Sequence, residues 1–488
     1  MKRLVLFLVP VICWAASTSI TVDQLLAMAR SAPGEFAAEA LVRIAGMDKV
    51  ETPRKIALLE EAFHRAGEAQ LPYKRSVSII KVPGPASVYR RVYAQDLDAM
   101  SLRLKAVGAM LPIDAPKARE MFLRIPAIKL PRLTCEEFLV YDVDGFYDLL
   151  GRIASQSFTP AEIEKGESFR LLQPYVAAVS SAAQVPAAAH LIATSNVSDA
   201  DFGLLLSAYA KAIGKISGDD RTFVHAASGP QIRDLVQVAQ RRNVAVLPLL
   251  EAYRLYVVNN MAGPRCADDE LMLNDAQSLG FADPRLTDQQ GPDAAVYFNA
   301  HLRIPPLQEI QEIEVTPSGM EGAAMGLRGC DDINCKAIIQ KYSDLVWDNT
   351  RTPYSAAQKA SPEWQAKLQQ FLAAIAAWKP QSPEYAAEHF REKSALYSDV
   401  ANMPPDAAGR QAVLRAELEY VVKNKAGAEN RVQWFLPVSG LIGRVTLDPF
   451  GLGKLADDLR NVGDPIITLF VELDAAAPRT PDRIMPLI

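Results

Sequence analysis

The sequence predicts an all-α protein in which antiparallel helix pairs stack as an α-solenoid-like array. Apolar residues recur every third or fourth position from Val22 onward, which places them on one face of a helix and does not fit the alternation of a strand. Most of the 33 prolines fall between these apolar stripes, where proline can begin a helix but cannot continue one. A closed α/α toroid built from the same helix pairs is the alternative.

Residues 1–17 have the layout of a secretory signal peptide. Lys2 and Arg3 precede an apolar run over residues 4–14, and small residues follow it. That run is too short for a membrane-spanning helix, which needs about 20 apolar residues. We expect cleavage after Ala15 or after Ser17 and export to the periplasm or the cell exterior.

Apolar stripes and turn residues divide the rest of the chain into four segments. An N-terminal helical array covers residues 18–264 and a C-terminal helical part covers residues 335–474. Between them, residues 265–334 are rich in turn-forming glycine and proline and predict an irregular connection. Residues 475–488 carry three prolines and no stripe, which predicts a tail. The stripes of the array are Phe36 to Ile44, Ile56 to Phe63, Leu97 to Leu111, Phe169 to Val179 and Phe202 to Ile213.

Residues 36–67 and 95–125 each predict a pair of helices. In the second pair, Asp114 and Pro116 open the second helix, and Ala118, Phe122 and Ile125 face inward. This pair resembles a unit of the tetratricopeptide family, although the chain lacks that family's recurrence of about 34 residues. The resemblance implies an α-solenoid architecture. Capping residues before proline predict further helix starts at Thr159 and Ser361.

Three apolar stripes predict the helices of the C-terminal part. Trp364 and Trp378 are spaced as core residues of one helix. Glu384, Glu388 and Glu392 recur every fourth residue, which predicts a solvated helix face. The stripes are Cys335 to Leu345, Trp364 to Trp378 and Leu414 to Val421.

The charge balance argues against two classes of partner. The chain has 52 basic and 57 acidic side chains and a formal net charge of -5. Removal of the signal peptide takes away Lys2 and Arg3 and lowers that charge to -7 (50 basic, 57 acidic). Nucleic acids and anionic membrane surfaces require clustered Lys and Arg, and the sequence has no such cluster.

Four cysteines follow the signal peptide, and an even number in an exported chain predicts two disulfides. Three pairings are possible. We favour Cys330 with Cys335, because residues 329–335 hold a glycine and polar turn-formers, and Cys135 with Cys266. A zinc site would need a second Cys or His pair nearby, and none is present.

The sequence predicts no metal site. The sequence Glu61-Ala62-Phe63-His64 has the Glu-x-x-His spacing of di-iron helix bundles, but no second copy accompanies it, so we interpret it as a solvent-facing pair beside a core Phe63. Asp142-Val143-Asp144-Gly145 begins like a calcium loop, but Ile153 stands where the loop needs its bidentate glutamate. This segment predicts an ordinary helix start. The five histidines are isolated from one another: His64, His190, His225, His301 and His389.

No cofactor or nucleophile motif is complete. Gly451-Leu452-Gly453-Lys454 is similar to a phosphate-binding loop, but Asp448 and Leu455 replace a required glycine and a required Ser or Thr. We therefore predict a turn that opens a short helix through Leu455 and Leu459. The Gly-x-Ser-x-Gly motif of serine hydrolases is absent.

Glu167-Ser168 is similar to the Glu-Ser pair of lytic transglycosylases, which are helical enzymes that cleave glycans. The resemblance implies a catalytic role for Glu167 in a carboxylate mechanism. The Gly-Leu-Met-Gln segment that should follow closely is missing, and the nearest similar pair, Gly326-Leu327, lies far downstream.

Together these features predict an exported helical-repeat protein that serves as a protein–protein interaction scaffold in the cell envelope, without a cofactor or stable membrane insertion. The binding surface would be the concave face of the array. One alternative is an exported, carboxylate-dependent hydrolase acting on glycans, which needs a cleft with two carboxyls about 5 to 10 Å apart. Another is a small-ligand-binding protein with its pocket beside the irregular connection.

The disulfide prediction can be tested by mass spectrometry of the exported protein. With thiol alkylation before reduction, we expect no labelled cysteine; after reduction, we expect all four labelled. The chain-entropy relation assigns about 2 kcal/mol of stability to the short Cys330–Cys335 loop and about 5 kcal/mol to the long Cys135–Cys266 loop. Four labelled thiols before reduction would contradict the prediction.

Overall fold

The computed structural model confirms an all-α fold. Its regular structure is helical apart from one antiparallel pair of short strands, β1 (Arg75–Val77) and β2 (Leu139–Tyr141), and an isolated bridge between Trp347 and Pro353. The described residues are 20–73, 75–77, 96–126, 128, 130, 139–141, 143–217, 222–225, 228–261, 333–350, 352–447 and 453–476.

The helices that precede residue 262 include the stripes predicted for the N-terminal array, apart from Leu97, Leu111 and Val179, which lie one or two residues beyond the ends of their helices. They are α1 (Val22–Ser31), α2 (Gly34–Ala45), α3 (Thr52–Ala66), α4 (Ala99–Met110), α5 (Ala115–Leu123), α6 (Asp144–Gln156), α7 (Pro160–Glu164), α8 (Glu167–Ala177), α9 (Gln184–Thr194), α10 (Asp199–Ile213), α11 (Thr222–His225), α12 (Gly229–Arg241) and α13 (Leu247–Met261).

The helices that follow residue 332 include the three stripes predicted for the C-terminal part, apart from Trp378, which directly follows its helix with an extended backbone. They are α14 (Ile333–Val346), α15 (Ala356–Lys359), α16 (Pro362–Ala377), α17 (Ala386–Val400), α18 (Ala407–Lys423), α19 (Arg431–Leu447), α20 (Gly453–Asn461) and α21 (Pro465–Ala476). Short 3-10 helices, Pro383–Tyr385 and Lys425–Gly427, precede α17 and follow α18.

Side-chain caps mark the helix starts that the sequence predicts. The Asp114 carboxylate accepts a hydrogen bond from the backbone N–H of Lys117 at 2.9 Å. Thr159 forms a reciprocal capping box with Glu162, and the Ser361 hydroxyl accepts from the next turn of α16. Each cap satisfies a backbone donor that the helix itself leaves without a partner, which stabilises the helix by about 1 kcal/mol.

Most helices before residue 262 pack on helices that are close to them in sequence. Helix α2 contacts α3 and α4; α4 contacts α5 and α6; α6 contacts α8 and α9; and α9 and α10 contact α12 and α13 respectively. The buried apolar residues of all these helices belong to one continuous cluster, which also includes the C-terminal helices. The division of the chain into array, connection and C-terminal part stays a prediction.

Helix α2 connects the beginning of the chain to its end. Helices α1 and α2 pack on α21, and the Phe36 ring of α2 lies 5.0 Å from the Phe435 ring of α19 and 6.0 Å from the Phe470 ring of α21. Gly34 begins α2 where a Cβ atom would lie only 2.6 Å from the Cβ atom of Glu68. Glycine therefore permits the close approach of α2 to the end of α3.

Ion pairs also connect α2 to its neighbouring helices. The Glu39 carboxylate of α2 lies 2.9 Å from Arg43 and 2.9 Å from Lys105 of α4, and Arg43 continues to Asp474 of α21 at 2.8 Å. Burial raises the pKa of Glu39, but the charges of Lys105 and Arg43 outweigh it and hold the pKa below its usual value. Glu35, also buried, pairs with Arg431 at the start of α19.

Trp364 and Trp378 lie in the core, as predicted. The Trp364 indole N–H donates to the carbonyl of Leu345 at 3.0 Å, and Trp378 is also buried. The prediction of a solvated face over Glu384, Glu388 and Glu392 is wrong for Glu392, which is 8% exposed. Glu384 belongs to the 3-10 helix, so the four-residue spacing does not continue on one α-helical face, and α17 packs on both α18 and α19. The Glu388 side chain lies outside the described residues.

Several predicted features also lie outside the described residues. These are the signal peptide, nearly all of the irregular connection, the tail from residue 477, and the side chains of Cys135, Cys266, Cys330 and Cys335. The backbone of Cys335 is part of α14. No helix in the described part of the chain is both long enough and apolar enough to cross a membrane.

Replacing Phe36 with alanine tests whether the two ends of the chain stabilise one another. Because the ring is fully buried among Phe435 and Phe470, we expect Phe36→Ala to lower the free energy of unfolding by about 3 to 5 kcal/mol, measured by urea denaturation. The matched control is Leu123→Ala on α5, an exposed residue, for which we expect a change within about 0.5 kcal/mol. Equal effects of the two substitutions would contradict a stabilising contact.

Candidate binding grooves

Two grooves share α8 as a wall. The first groove, of about 430 Å³, lies between α6, α8 and α9 and extends to residues 195–197. The second groove, of about 470 Å³, lies between α8, the turn that follows it, and α10. Both are clefts of the size that binds a short segment of a partner or a small molecule.

The floor of the first groove is apolar. Leu172 of α8 and Leu191 of α9 are buried there. Gly151 of α6 faces them, and a Cβ atom at that position would lie 3.1 Å from the Leu191 side chain. The glycine leaves the groove open at the place where a larger residue would press on α9.

The hydroxyl groups in the first groove are engaged within the protein. The Ser168 hydroxyl donates to the carbonyl of Ala154 at 2.8 Å, and the Tyr147 hydroxyl accepts from the Gln184 amide at 3.1 Å. Burial raises the pKa of Tyr147 far above its usual value, so its hydroxyl stays neutral. These groups hold α6, α8 and α9 together and offer no activated nucleophile.

The rim of the first groove is polar. Asp148 and Arg152 of α6 and His190 of α9 line it and are exposed. Within the part of the chain that the structure describes, these three side chains make no hydrogen bond or ion pair. The rim thus offers an acceptor, a guanidinium and an imidazole to a ligand without breaking a contact of the protein.

Arg242, which directly follows α12, holds one wall of the first groove in place. Its guanidinium donates to the carbonyls of Val197 at 2.9 Å and Ser195 at 3.3 Å, and it lies 4.7 Å from the centre of the Phe202 ring. These contacts fix the chain between α9 and α10 against the core. The wall is therefore formed before any ligand arrives.

The second groove has a different character. Its apolar residues include Leu204 and Ala208 of α10 and the buried Val179, and Leu204 is 55% exposed. Lys211 and Lys215 are the charged residues among its lining. Neither lysine forms an ion pair with a described residue. The second groove combines an apolar surface with two cationic side chains.

A cluster of buried ionisable residues lies apart from both grooves, in the C-terminal helices. Lys393 of α17 donates to the carbonyl of Trp378 at 2.8 Å, and its ammonium lies 4.6 Å from the centre of the Tyr420 ring. The Nε2 atom of His389 lies 3.2 Å from the same carbonyl. Both side chains therefore satisfy the C-terminal end of α16, where carbonyl groups lack partners within the helix.

The pKa values in this cluster are displaced by burial. Burial lowers the pKa of Lys393 to about 8, and burial, followed by the Lys393 charge, lowers the pKa of His389 to about 4. Burial raises the pKa of Glu417 on α18 to about 8, against the charge of Arg444. Displaced pKa values often mark catalytic groups, but here the three side chains are nearly inaccessible to solvent. We interpret the cluster as structural.

Most of the candidate residues identified in the sequence do not lie together in one site. His64 is exposed beside the buried Phe63, and Glu61 pairs with Arg30 at 2.8 Å, which agrees with the interpretation as a surface pair. No group of three or more His, Cys, Asp or Glu side chains in the described ranges could hold a metal ion. The side chains of His225 and His301 lie outside those ranges.

The structure places Glu167 of the Glu-Ser pair at the beginning of α8. It forms an ion pair with Arg170 on α8 and is not among the residues lining either groove, whereas Ser168 lines the first groove. Gly453 begins α20, and Leu455 and Leu459 are buried in it, as predicted for the short helix. Gly451 and Leu452 of the predicted turn lie outside the described residues.

The residues of the second groove form a pattern in the sequence, but apolar periodicity alone did not distinguish it from the buried stripe of α10. The buried stripe of α10 runs from Phe202 to Ile213, and Leu204, Ala208, Lys211 and Lys215 form a second stripe at the same spacing.

No family model, curated protein or solved structure matches this chain. Function is therefore argued from the geometry of the grooves.

Glu417 provides a test of the buried cluster through the pH dependence of stability. An unfolded glutamate has a pKa of about 4.3, and the folded value is about 8. As the pH rises between these values, the unfolded state loses its proton and the folded state keeps it, so stability falls and then levels off above about pH 8. The lowered pKa of His389 opposes this trend only below about pH 6.5, and that of Lys393 acts only above about pH 8.

Between pH 6.5 and 8 we therefore expect the free energy of unfolding to fall by on the order of 1 kcal/mol per pH unit. Urea denaturation across this range measures it, and Glu417→Gln should remove the slope because the amide does not titrate. Glu419→Gln, an exposed neighbour on the same helix, is the control and should keep it. An unchanged slope in Glu417→Gln would exclude a neutral buried carboxyl.

Proposed function

We propose that this protein is a binding scaffold that holds a segment of a partner protein in the first groove. The observation that carries the proposal is the combination of an apolar floor with the rim of Asp148, Arg152 and His190. The rim side chains are exposed, and none makes a hydrogen bond or ion pair with another described residue. Preformed clefts with few convergent polar groups are where proteins bind ligands.

The order of helix packing supports an α-solenoid-like array as the framework. Contacts from α2 to α13 connect helices that lie close in sequence, which is how repeat arrays bury their apolar faces. Such arrays bind extended partners along a surface made by successive helices. We propose that α6, α8, α9 and α10 provide that surface, and that the chain acts after export, as the signal-peptide pattern suggests.

A glycan hydrolase with a carboxylate pair is less well supported by the same geometry. Such an enzyme needs two carboxyl groups about 5 to 10 Å apart in one cleft. Asp148 is the carboxylate among the residues lining the first groove, and the lining of the second groove contains none. The engaged hydroxyls of Tyr147 and Ser168 offer no substitute for the missing acid.

Site-specific photo-crosslinking in the native host tests the proposal. We place benzoylphenylalanine at Arg152 on the rim and, as a control, at Arg241, an exposed arginine of α12 outside both grooves. We expect a discrete adduct with one protein from position 152, at least tenfold above the yield from position 241. Mass spectrometry then identifies the partner.

A groove-filling substitution makes the test specific. Ser155 lines the first groove and is exposed, whereas the adjacent Gln156 is exposed outside the lining. We expect Ser155→Trp to reduce the adduct at position 152 at least fivefold and Gln156→Trp to leave it unchanged. Equal yields from positions 152 and 241, or an adduct indifferent to Ser155→Trp, would refute binding in this groove.

A further inference from the structure

We propose that the second groove binds an acidic, amphipathic segment of a partner protein. Its apolar side would lie on Leu204 and Ala208, and its carboxylates would face Lys211 and Lys215. The inference rests on the proposed function as a scaffold. It adds the chemical character of the segment that binds in the second groove, on the opposite side of α8 from the first groove.

The geometry of α10 separates this surface from the core. One face of the helix buries Phe202, Leu205 and Tyr209. Leu204, Ala208 and Lys211 follow one another on another face at intervals of four and three. Leu204 is more than half exposed, although a leucine in the core would be covered. A large exposed leucine in a cleft gains by being covered by a partner.

The charge of the second groove selects the partner. Lys211 and Lys215 are its charged lining residues, and neither is paired with a described acid. Elsewhere on the described surface, Lys105, Lys117 and Lys425 each lie within 3 Å of a carboxylate oxygen. Two cations without partners beside apolar surface complement a segment in which acidic and apolar residues alternate.

The length of the surface limits the size of the segment. From Leu204 to the end of α10 at Ile213 the helical rise is about 14 Å, which corresponds to about two and a half turns of a partner helix or about four residues of an extended strand. Two lysines are too few to retain an anionic membrane, which needs a cluster of four to eight basic residues. A short peptide segment therefore fits the groove better than a lipid surface.

Fluorescence anisotropy with the full exported chain tests the inference. The probe is a labelled peptide of about 15 residues with leucine at every third or fourth position and glutamate between. The matched peptide carries lysine in place of glutamate. We expect the wild-type chain to bind the glutamate peptide at least tenfold more tightly, with an affinity that falls as salt is raised.

Variants connect this preference to the groove. Lys211→Glu combined with Lys215→Glu should reverse the preference, and Leu204→Ser should weaken binding of both peptides by about fivefold to tenfold. The control pair Lys336→Glu and Lys454→Glu changes exposed lysines on α14 and α20 outside the grooves and should leave the preference unchanged. All substituted positions are exposed, so circular dichroism and thermal unfolding should match the wild type.

Several outcomes would overturn the inference. If the two peptides bind equally, or if reversing the charges of Lys211 and Lys215 has no effect on the preference, the groove does not select acidic segments. Displacement of the peptide by millimolar inorganic phosphate, with no effect of Leu204→Ser, would indicate a simple anion site. Crosslinking at position 152 is independent of these results. If the peptide experiment fails while crosslinking is intact, only this inference is refuted. If crosslinking is lost while peptide binding is intact, only binding in the first groove is refuted.

Discussion

The burial of α2 is the constraint on which the rest of the fold depends. This helix packs on α1, α3 and α4 at the beginning of the chain and on α21 at its end, and its Phe36 ring also reaches α19. Four of its twelve residues are alanine, and these small side chains let neighbouring helices approach closely. Because α2 is enclosed by helices from both ends of the chain, the two grooves lie elsewhere, along α8 and its neighbours.

Buried charges reinforce this arrangement in two different ways. Glu35 and Glu39 are paired across helix contacts, so the buried charge of each is compensated. Glu417 has a carboxylate oxygen without a hydrogen-bond partner and instead stays neutral through its raised pKa. A paired charge fixes the relative position of two helices, because removing one partner leaves the other uncompensated. A neutral buried acid avoids that cost and makes stability depend on pH.

Local features of the fold could be predicted from the sequence, and contacts between distant segments could not. The stripe around Trp364 and the caps at Asp114 and Thr159 depend on neighbours within one helix, and the structure confirms them. The pair of Glu35 with Arg431 joins residues 396 positions apart, which no periodicity reveals. Glu392 was misjudged because its exposure depends on α18 and α19. The grooves could not be predicted for the same reason. Whether Leu204 is exposed depends on which other helices pack against it, and the sequence around Leu204 does not show that.

The contrast between the interior and the rims of the grooves favours recognition over chemistry. Inside the first groove the hydroxyls of Ser168 and Tyr147 are consumed by contacts that hold helices together. On its rim and in the second groove, charged side chains have no described partner. Catalysis needs the reverse arrangement, with activated groups inside a cleft and their partners aligned behind them. A rigid apolar floor with available charges at its edge instead provides contact area and selectivity by charge. The first groove has a mixed rim from α6 and α9, and the second groove has two lysines on and just after α10.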